Sequence, residues 1–243
     1  MHAILNEYLP LWGITEYENR RVICAAFPYL LPDSCYAGRN IARFAVVEDY
    51  HKICGARLEQ VCAALRPLYP GSAFACHCDN TRLPEVTLAE QAGLGVRGRH
   101  NLLITPNYGS WVFLGEIVTT ANLPAVSCAQ QSSPCVRCAA PCVLRCPANC
   151  LAPPGLGRCL SRVSQRKGER APEEIALLRQ AGSAWGCDIC QEACPCNARA
   201  AIAPLPEFLR LPLPHVSAET PLAGRAYAWR GEQIKKNIAR LFP

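Results

Sequence analysis

The stretch that decides the reading of this chain is Cys135-Val136-Arg137-Cys138, Cys142, Cys146-Pro147, Cys159 and Cys187-Asp188-Ile189-Cys190-Gln191-Glu192-Ala193-Cys194-Pro195. It contains two cysteine runs that each end in Cys-Pro, with an isolated cysteine between them, eight thiols in all. Eight thiolates are what two cubane [4Fe-4S] clusters need, and in two-cluster ferredoxins the cysteine before the proline serves the other cluster. Crossed in this way, Cys135, Cys138, Cys142 and Cys194 would hold one cube, and Cys146, Cys159, Cys187 and Cys190 the other. Proline after the last cysteine fixes φ and removes a backbone donor, which steers the chain out of the cluster loop. Three residues, among them Pro141, separate Cys138 from Cys142 where two are usual, so that loop must bulge or another cysteine must substitute.

Zinc and disulfides are the plainer uses of cysteine. Zinc sites pair Cys-x2-Cys units and have no need of the trailing Cys-x3-Cys-Pro. Disulfides need an oxidising compartment, and MHAILNEYLP at the start lacks the basic opening and apolar core of a secretory signal. Most of the remaining nine of the seventeen cysteines read as small buried hydrophobes. Cys76-His77-Cys78 lacks the further ligands that a metal site there would require.

A chain of 243 residues, half of them apolar, can bury one large core or two modest ones. No apolar run approaches the roughly 20 residues of a membrane span, because Gly115 and Glu116 interrupt the richest one, Trp111 to Val118. The expectation is a soluble cytoplasmic protein without membrane contact. The net charge of +6 suits an anionic partner such as nucleic acid, with basic residues gathered in Arg158 to Arg170 and Arg225 to Arg240. Solvated helix faces explain the same residues equally well.

Outward from the cysteines, Arg21 to Leu31 reads as a buried strand running to a turn at Pro32-Asp33. Asn40 to Leu65 carries apolar residues at helical spacing and predicts mostly one amphipathic helix, within which His51 reads as structural or exposed. Gly71 to Cys78 predicts a second strand that delivers the chain to Asp79, a turn or capping residue by local criteria. A helix follows from Pro84 to Ala92 and stops at Gly93. Gly93-Leu94-Gly95-Val96-Arg97-Gly98 matches a dinucleotide fingerprint in letters only, since it follows a helix and precedes a strand. Leu102 to Ile104 and Trp111 to Thr119 predict a hairpin, with Glu116 either facing solvent or pairing with Arg97, Arg99 or His100. Asn122 to Ser133 reads as a linker, Pro172 to Gln180 as a helix, and the proline-rich segment after Cys196 as an extended strap before a basic helix, Gly231 to Leu241. The divisions expected are 1–124, 125–203 and 204–243.

Several linked motifs in this order resemble the epoxyqueuosine reductase family. They are Ile41-Ala42-Arg43-Phe44 with Asp49-Tyr50-His51, Asp79-x-Thr81, Ala92 to Gly98, Gly109 to Glu116, Cys159-Leu160-Ser161, Gly186 to Gln191, and Cys194-Pro195. The family's usual Gly-Lys-Asn after the glycine loop is Gly98-Arg99-His100 here. The resemblance implies an α+β chain: a nitroreductase-like α/β domain that holds cobalamin, followed by a ferredoxin-like double [4Fe-4S] domain. It also implies reduction of the epoxide of epoxyqueuosine in tRNA, with electrons from a donor such as a flavodoxin or ferredoxin. Asp79 would be the proton donor, its carboxyl kept protonated by desolvation against the corrin, and Leu103, Leu114, Ser161 and Asp188 would line the cofactor. The alternative is a two-cluster electron-transfer or activating protein without tRNA activity.

Overall fold

The computed structural model describes residues 1–79, 82–126, 132–152 and 155–242. Thr81 of the Asp-x-Thr motif, Cys128 and part of the 122–133 linker lie outside the described residues. Among the described residues there are six strands, β1 Leu11–Tyr17, β2 Arg20–Pro28, β3 Phe74–His77, β4 Val96–Arg97, β5 Leu103–Ile104 and β6 Val112–Thr119. The helices are α1 His2–Tyr8, α2 Arg43–Val46, α3 Tyr50–Leu65, α4 Glu85–Gln91, α5 Pro141–Leu144, α6 Leu160–Gln165, α7 Pro172–Ala181, α8 Ile189–Glu192 and α9 Gly231–Leu241.

The centre is an antiparallel sheet of order β1-β2-β6-β3. Glu18 and Asn19 both take positive φ in the tight turn between β1 and β2, the backbone that a two-residue hairpin of right-twisted strands requires. Side chains alternate across β6. Phe113 and Ile117 join the larger core with Leu58, Val61 and Leu65 of α3, whereas Val112, Leu114 and Val118 pack on the smaller core with Leu88 and Ala89 of α4. The sheet is thus covered on both faces.

The larger core is continuous from Leu5 through Phe113 to Trp185, Phe208, Tyr227 and Ile238. The cysteine-rich half is therefore packed onto the sheet half through shared buried side chains. The proline-rich segment after Cys196 inserts Leu205, Phe208, Val216 and Tyr227 into that core. It is tied by Ala203 N–H to Leu30 O (2.7 Å), Leu213 N–H to Val46 O (2.8 Å) and Asn40 Nδ2 to Val216 O (2.8 Å).

Three expectations are corrected. The single helix from Asn40 breaks into α2 and α3, because Asp49 caps α3 by accepting from His51 N–H at 3.2 Å. The hairpin of 102–104 with 111–119 does not form: β5 pairs with β4, and β6 pairs with β2 and β3. Glu116 neither meets solvent nor pairs with Arg97, Arg99 or His100; it is fully buried, and neither carboxylate oxygen has a hydrogen-bond partner. Among the described residues, no helix is long and apolar enough to cross a membrane.

Candidate active site and cysteine cages

Asp79 follows β3 with φ at +58°, so its side chain leaves the strand end toward the first turn of α3. There Tyr50 Oη donates to Asp79 Oδ2 at 2.7 Å, and His51 Nε2 stands 3.6 Å from the same oxygen. On its other side His51 Nδ1 meets Asp49 Oδ1 at 2.7 Å. One short motif, Asp49-Tyr50-His51, thus supplies a helix cap, a phenol and an imidazole to Asp79. Tyr50 is fixed by stacking on Phe113, with ring centroids 3.9 Å apart and planes 5° from parallel; such a pair is worth about 1 kcal/mol beyond its burial.

The electrostatics follow from these contacts. The nearby Asp79 carboxylate, then the hydrogen bond and charge of Asp49, outweigh burial and lift His51 to about 9, so it is a cation at neutral pH. Burial, then the Asp79 charge, push the Tyr50 phenol well above its ordinary value. Asp79 itself is 55% exposed, so the protein alone does not desolvate the carboxyl in the way the resemblance implied. It accepts from Tyr50 and faces His51 Nε2.

Asp79, Tyr50 and Phe113 line a cavity of about 1140 Å³ that also takes in Tyr29, Phe44, Leu102 and Ser161. Ordinary small-molecule pockets hold about 300–1,000 Å³, so there is room for a large cofactor. Of the four positions expected to line a cofactor, Ser161 borders this cavity. Leu103 is buried in the smaller core and Leu114 packs against it, whereas Leu102, Val112 and Phe113 border the cavity. Asp188 is buried to one side, bonded by Arg39 Nη1 (3.0 Å) and Arg43 N–H (2.7 Å), and so anchors the Cys187–Cys190 loop to the segment before α2.

A buried polar network fixes the same loop to the sheet. Ser110 N–H donates to Asn197 Oδ1 (2.7 Å), Ser110 Oγ to Gln191 Oε1 (3.0 Å), and Asn197 Nδ2 to Gln191 O (2.7 Å). Gly109, at φ +54°, is required here, since a Cβ would come 2.1 Å from Asn197 Oδ1.

The cysteines border two cavities. Cys135, Cys138, Cys142 and Cys194 line a separate cavity of about 240 Å³, together with Cys196. Cys146, Cys159, Cys187 and Cys190 line the large cavity, together with Cys150. The three-residue spacing before Cys142 is absorbed by Ala140, a left-handed residue at φ +57° that leads into Pro141 at the start of α5. Among the described residues, the one trio of metal-binding side chains whose donor atoms all lie within 4.8 Å is Glu59, Cys62 and Cys76. Around a tetrahedral zinc with bonds of about 2.3 Å, thiolates sit about 3.8 Å apart. Among the described residues, no three thiols of either set come within 4.8 Å of one another.

Local sequence reasoning missed Tyr50, His51 and Phe113. The available signal was Asp49: a capping aspartate places the next two residues in a first helical turn, where their side chains are displayed at a helix end.

A family model described as "Epoxyqueuosine reductase QueG, DUF1730" matches residues 16–80, from the end of β1 past Asp79. The epoxyqueuosine reductase of Gloeobacter violaceus is 36% identical, over 74% of this chain and 57% of its own length. That of Listeria monocytogenes is 34% identical, over 97% of this chain and 67% of its own. A crystal structure of epoxyqueuosine reductase with a tRNA-Tyr epoxyqueuosine-modified stem loop superposes with a TM-score of 0.77 at 25% identity, covering 91% of this chain and 63% of that one. The Streptococcus thermophilus structure, at 23% identity, agrees in fold with a TM-score of 0.78 over 99% of this chain and 79% of its own. The chain spans 57% and 53% of the first two relatives it matches. With a relative at this identity aligned along nearly the whole chain, the chain belongs to the epoxyqueuosine reductase family.

Proposed function

We propose that this protein reduces the epoxide of epoxyqueuosine in tRNA to the alkene of queuosine, using cobalamin and two [4Fe-4S] clusters, in the cytoplasm. The observation that carries this reading is a single cavity bordered both by Asp79 with Tyr50 and by Cys146, Cys159, Cys187 and Cys190. An acid and a set of cluster-spaced thiols facing one space is what a reductive deoxygenation needs. A two-cluster electron carrier has no use for the Asp49–His51–Asp79 arrangement.

The balance of the reaction is epoxide plus two electrons and two protons to alkene plus water. Cobalamin bound in this cavity would supply the reducing centre, and clusters held by the two cysteine sets would relay single electrons to it from a donor such as a flavodoxin or ferredoxin. The protein's own residues bind, orient and hold protons. Asp79 delivers a proton to the departing oxygen and is refilled from His51, whose position Asp49 fixes. Phe44, Leu102 and Phe113 present apolar surface that excludes water. Arg162, Arg166 and Arg230 from the two basic segments converge on the same cavity, and Trp229, 68% exposed, lies under the Arg230 guanidinium at 4.3 Å. Arginines beside an exposed aromatic ring suit phosphates and an unstacked RNA base.

The test is anaerobic cluster reconstitution to about eight irons per chain, cobalamin titration followed by absorption and electron paramagnetic resonance, then turnover on an epoxyqueuosine-containing tRNA stem loop. Stoichiometric cobalamin binding with turnover is expected; cluster-loaded protein that binds no cobalamin would move the assignment to an electron carrier. The pH profile should carry the His51 signature. Its folded pKa, raised from 6.5 to about 9, makes the Asp49–His51–Asp79 contact fully stabilising below 6.5 and lost as pH rises through about 9. The rate is expected to fall on that alkaline limb, and His51→Asn to be slower with the limb absent; an identical limb in the variant would remove His51 as its source.

A further inference from the structure

Each cysteine cage has a fifth thiol that the eight-ligand scheme leaves unused: Cys150 beside Cys146 and Cys159, and Cys196 beside Cys194. Cys150 is the better defined. It is 4% exposed, its Sγ lies 3.5 Å from Cys146 Sγ, and its backbone N–H donates to that same sulfur at 3.4 Å. Asn149 enters the position with φ at +47°, which folds the chain back so that two cysteines four residues apart meet at their sulfurs.

We infer that Cys150 is an exchange ligand for the cluster that Cys146, Cys159, Cys187 and Cys190 hold, replacing Cys146 at one iron. This rests on the cluster assignment made above. Two metal–thiolate bonds of about 2.3 Å to one atom can span up to about 4.6 Å, and the Cys146 and Cys150 sulfurs, at 3.5 Å, fall within it. Exchange therefore needs a small movement of the metal edge and no rearrangement of backbone. In the step, the Cys150 thiol releases its proton and its sulfur bonds to iron, the iron–Cys146 bond breaks, and the freed Cys146 thiolate takes up a proton. No electrons are gained or lost. A buried cysteine serving only as filler would have no reason to aim both its N–H and its sulfur at a ligand sulfur.

The experiment compares anaerobically reconstituted parent, Cys146→Ala, Cys159→Ala and Cys146→Ala/Cys150→Ala proteins by iron and sulfide content and by electron paramagnetic resonance of the reduced clusters. Parent protein with about eight irons supports the cluster assignment itself; failure there overturns that assignment before the exchange is tested. Cys146→Ala is expected to keep about eight irons with shifted g-values, whereas Cys159→Ala and the double variant keep about four. Cys146→Ala falling to the Cys159→Ala level would overturn the proposal. The irons of the Cys135 cage report folding in every variant. The parent gives a second readout without mutation: alkylation at Cys146 in protein that retains all its iron occurs only while Cys150 holds that corner. Alkylation confined to Cys150 would sink the exchange.

Discussion

Replacing Asp79 by asparagine is expected to lower the rate of epoxide reduction by about 10²- to 10⁴-fold, the usual range for losing a positioned proton donor. This corresponds to about 3–5 kcal/mol of transition-state stabilisation. Iron content and cobalamin binding should be unchanged. Asparagine keeps an oxygen for the Tyr50 hydroxyl, now 2.7 Å from Asp79 Oδ2, so the stacked Tyr50–Phe113 pair has no cause to move. What is lost is the carboxylate that can take a proton from His51 and pass it on. The variant also removes the largest influence raising His51, so the alkaline limb near pH 9 should shift down along with the rate. Single-turnover kinetics on the modified stem loop, with iron analysis on the same sample, check both. A full rate in the variant would take Asp79 out of the proton path.

How much of this was legible in the sequence depended on how local the governing physics was. Cys135, Cys138 and Cys142 border one cavity because their short spacings act within one loop, and the crossed rule adds Cys194 from the second run, which borders the same cavity. The helix of Glu85 to Gln91 announced itself through Pro84 and Gly93 for the same reason. Strand β6 did not: its true partner β2 lies some ninety residues earlier, and nothing within Leu102 to Thr119 encodes that pairing. Strand β1 escaped notice because it is an edge strand without clean alternation, its Gly13 kept bare by Ala92 O, which a Cβ would approach to 2.1 Å. His51 looked ordinary until Asp49 on one side and Asp79, 28 residues away in the chain, closed around it. Residue types near the site were readable; which of them meet is a tertiary fact.

Glu116 carries the largest expected effect on stability. It sits on β6 between Cys24 and His77, fully buried, with both oxygens unpartnered. Burial first, then the charge of Glu85, push its carboxyl from 4.5 up to about 9. Between those values the folded state holds a proton that the unfolded chain has released, so stability must fall as pH rises through that window, by about 1.4 kcal/mol per unit. From pH 5 to pH 7 this is about 3 kcal/mol, or roughly 6–12 °C in Tm for a chain of this size. Glu116→Gln cannot titrate. Its buried amide carries a penalty of its own, but that penalty is the same at both pH values and cancels when parent and variant are compared at each. Glu85 and Asp188, which also titrate in this range, are present in both proteins and cancel as well. Anaerobic denaturant unfolding of cluster-loaded parent and Glu116→Gln at pH 5 and pH 7 should therefore show the variant gaining about 3 kcal/mol on the parent between the two. Parallel pH dependences would mean that Glu116 is ionised in the folded protein. Burial without a partner would then need a cation or water beside it to account for the charge.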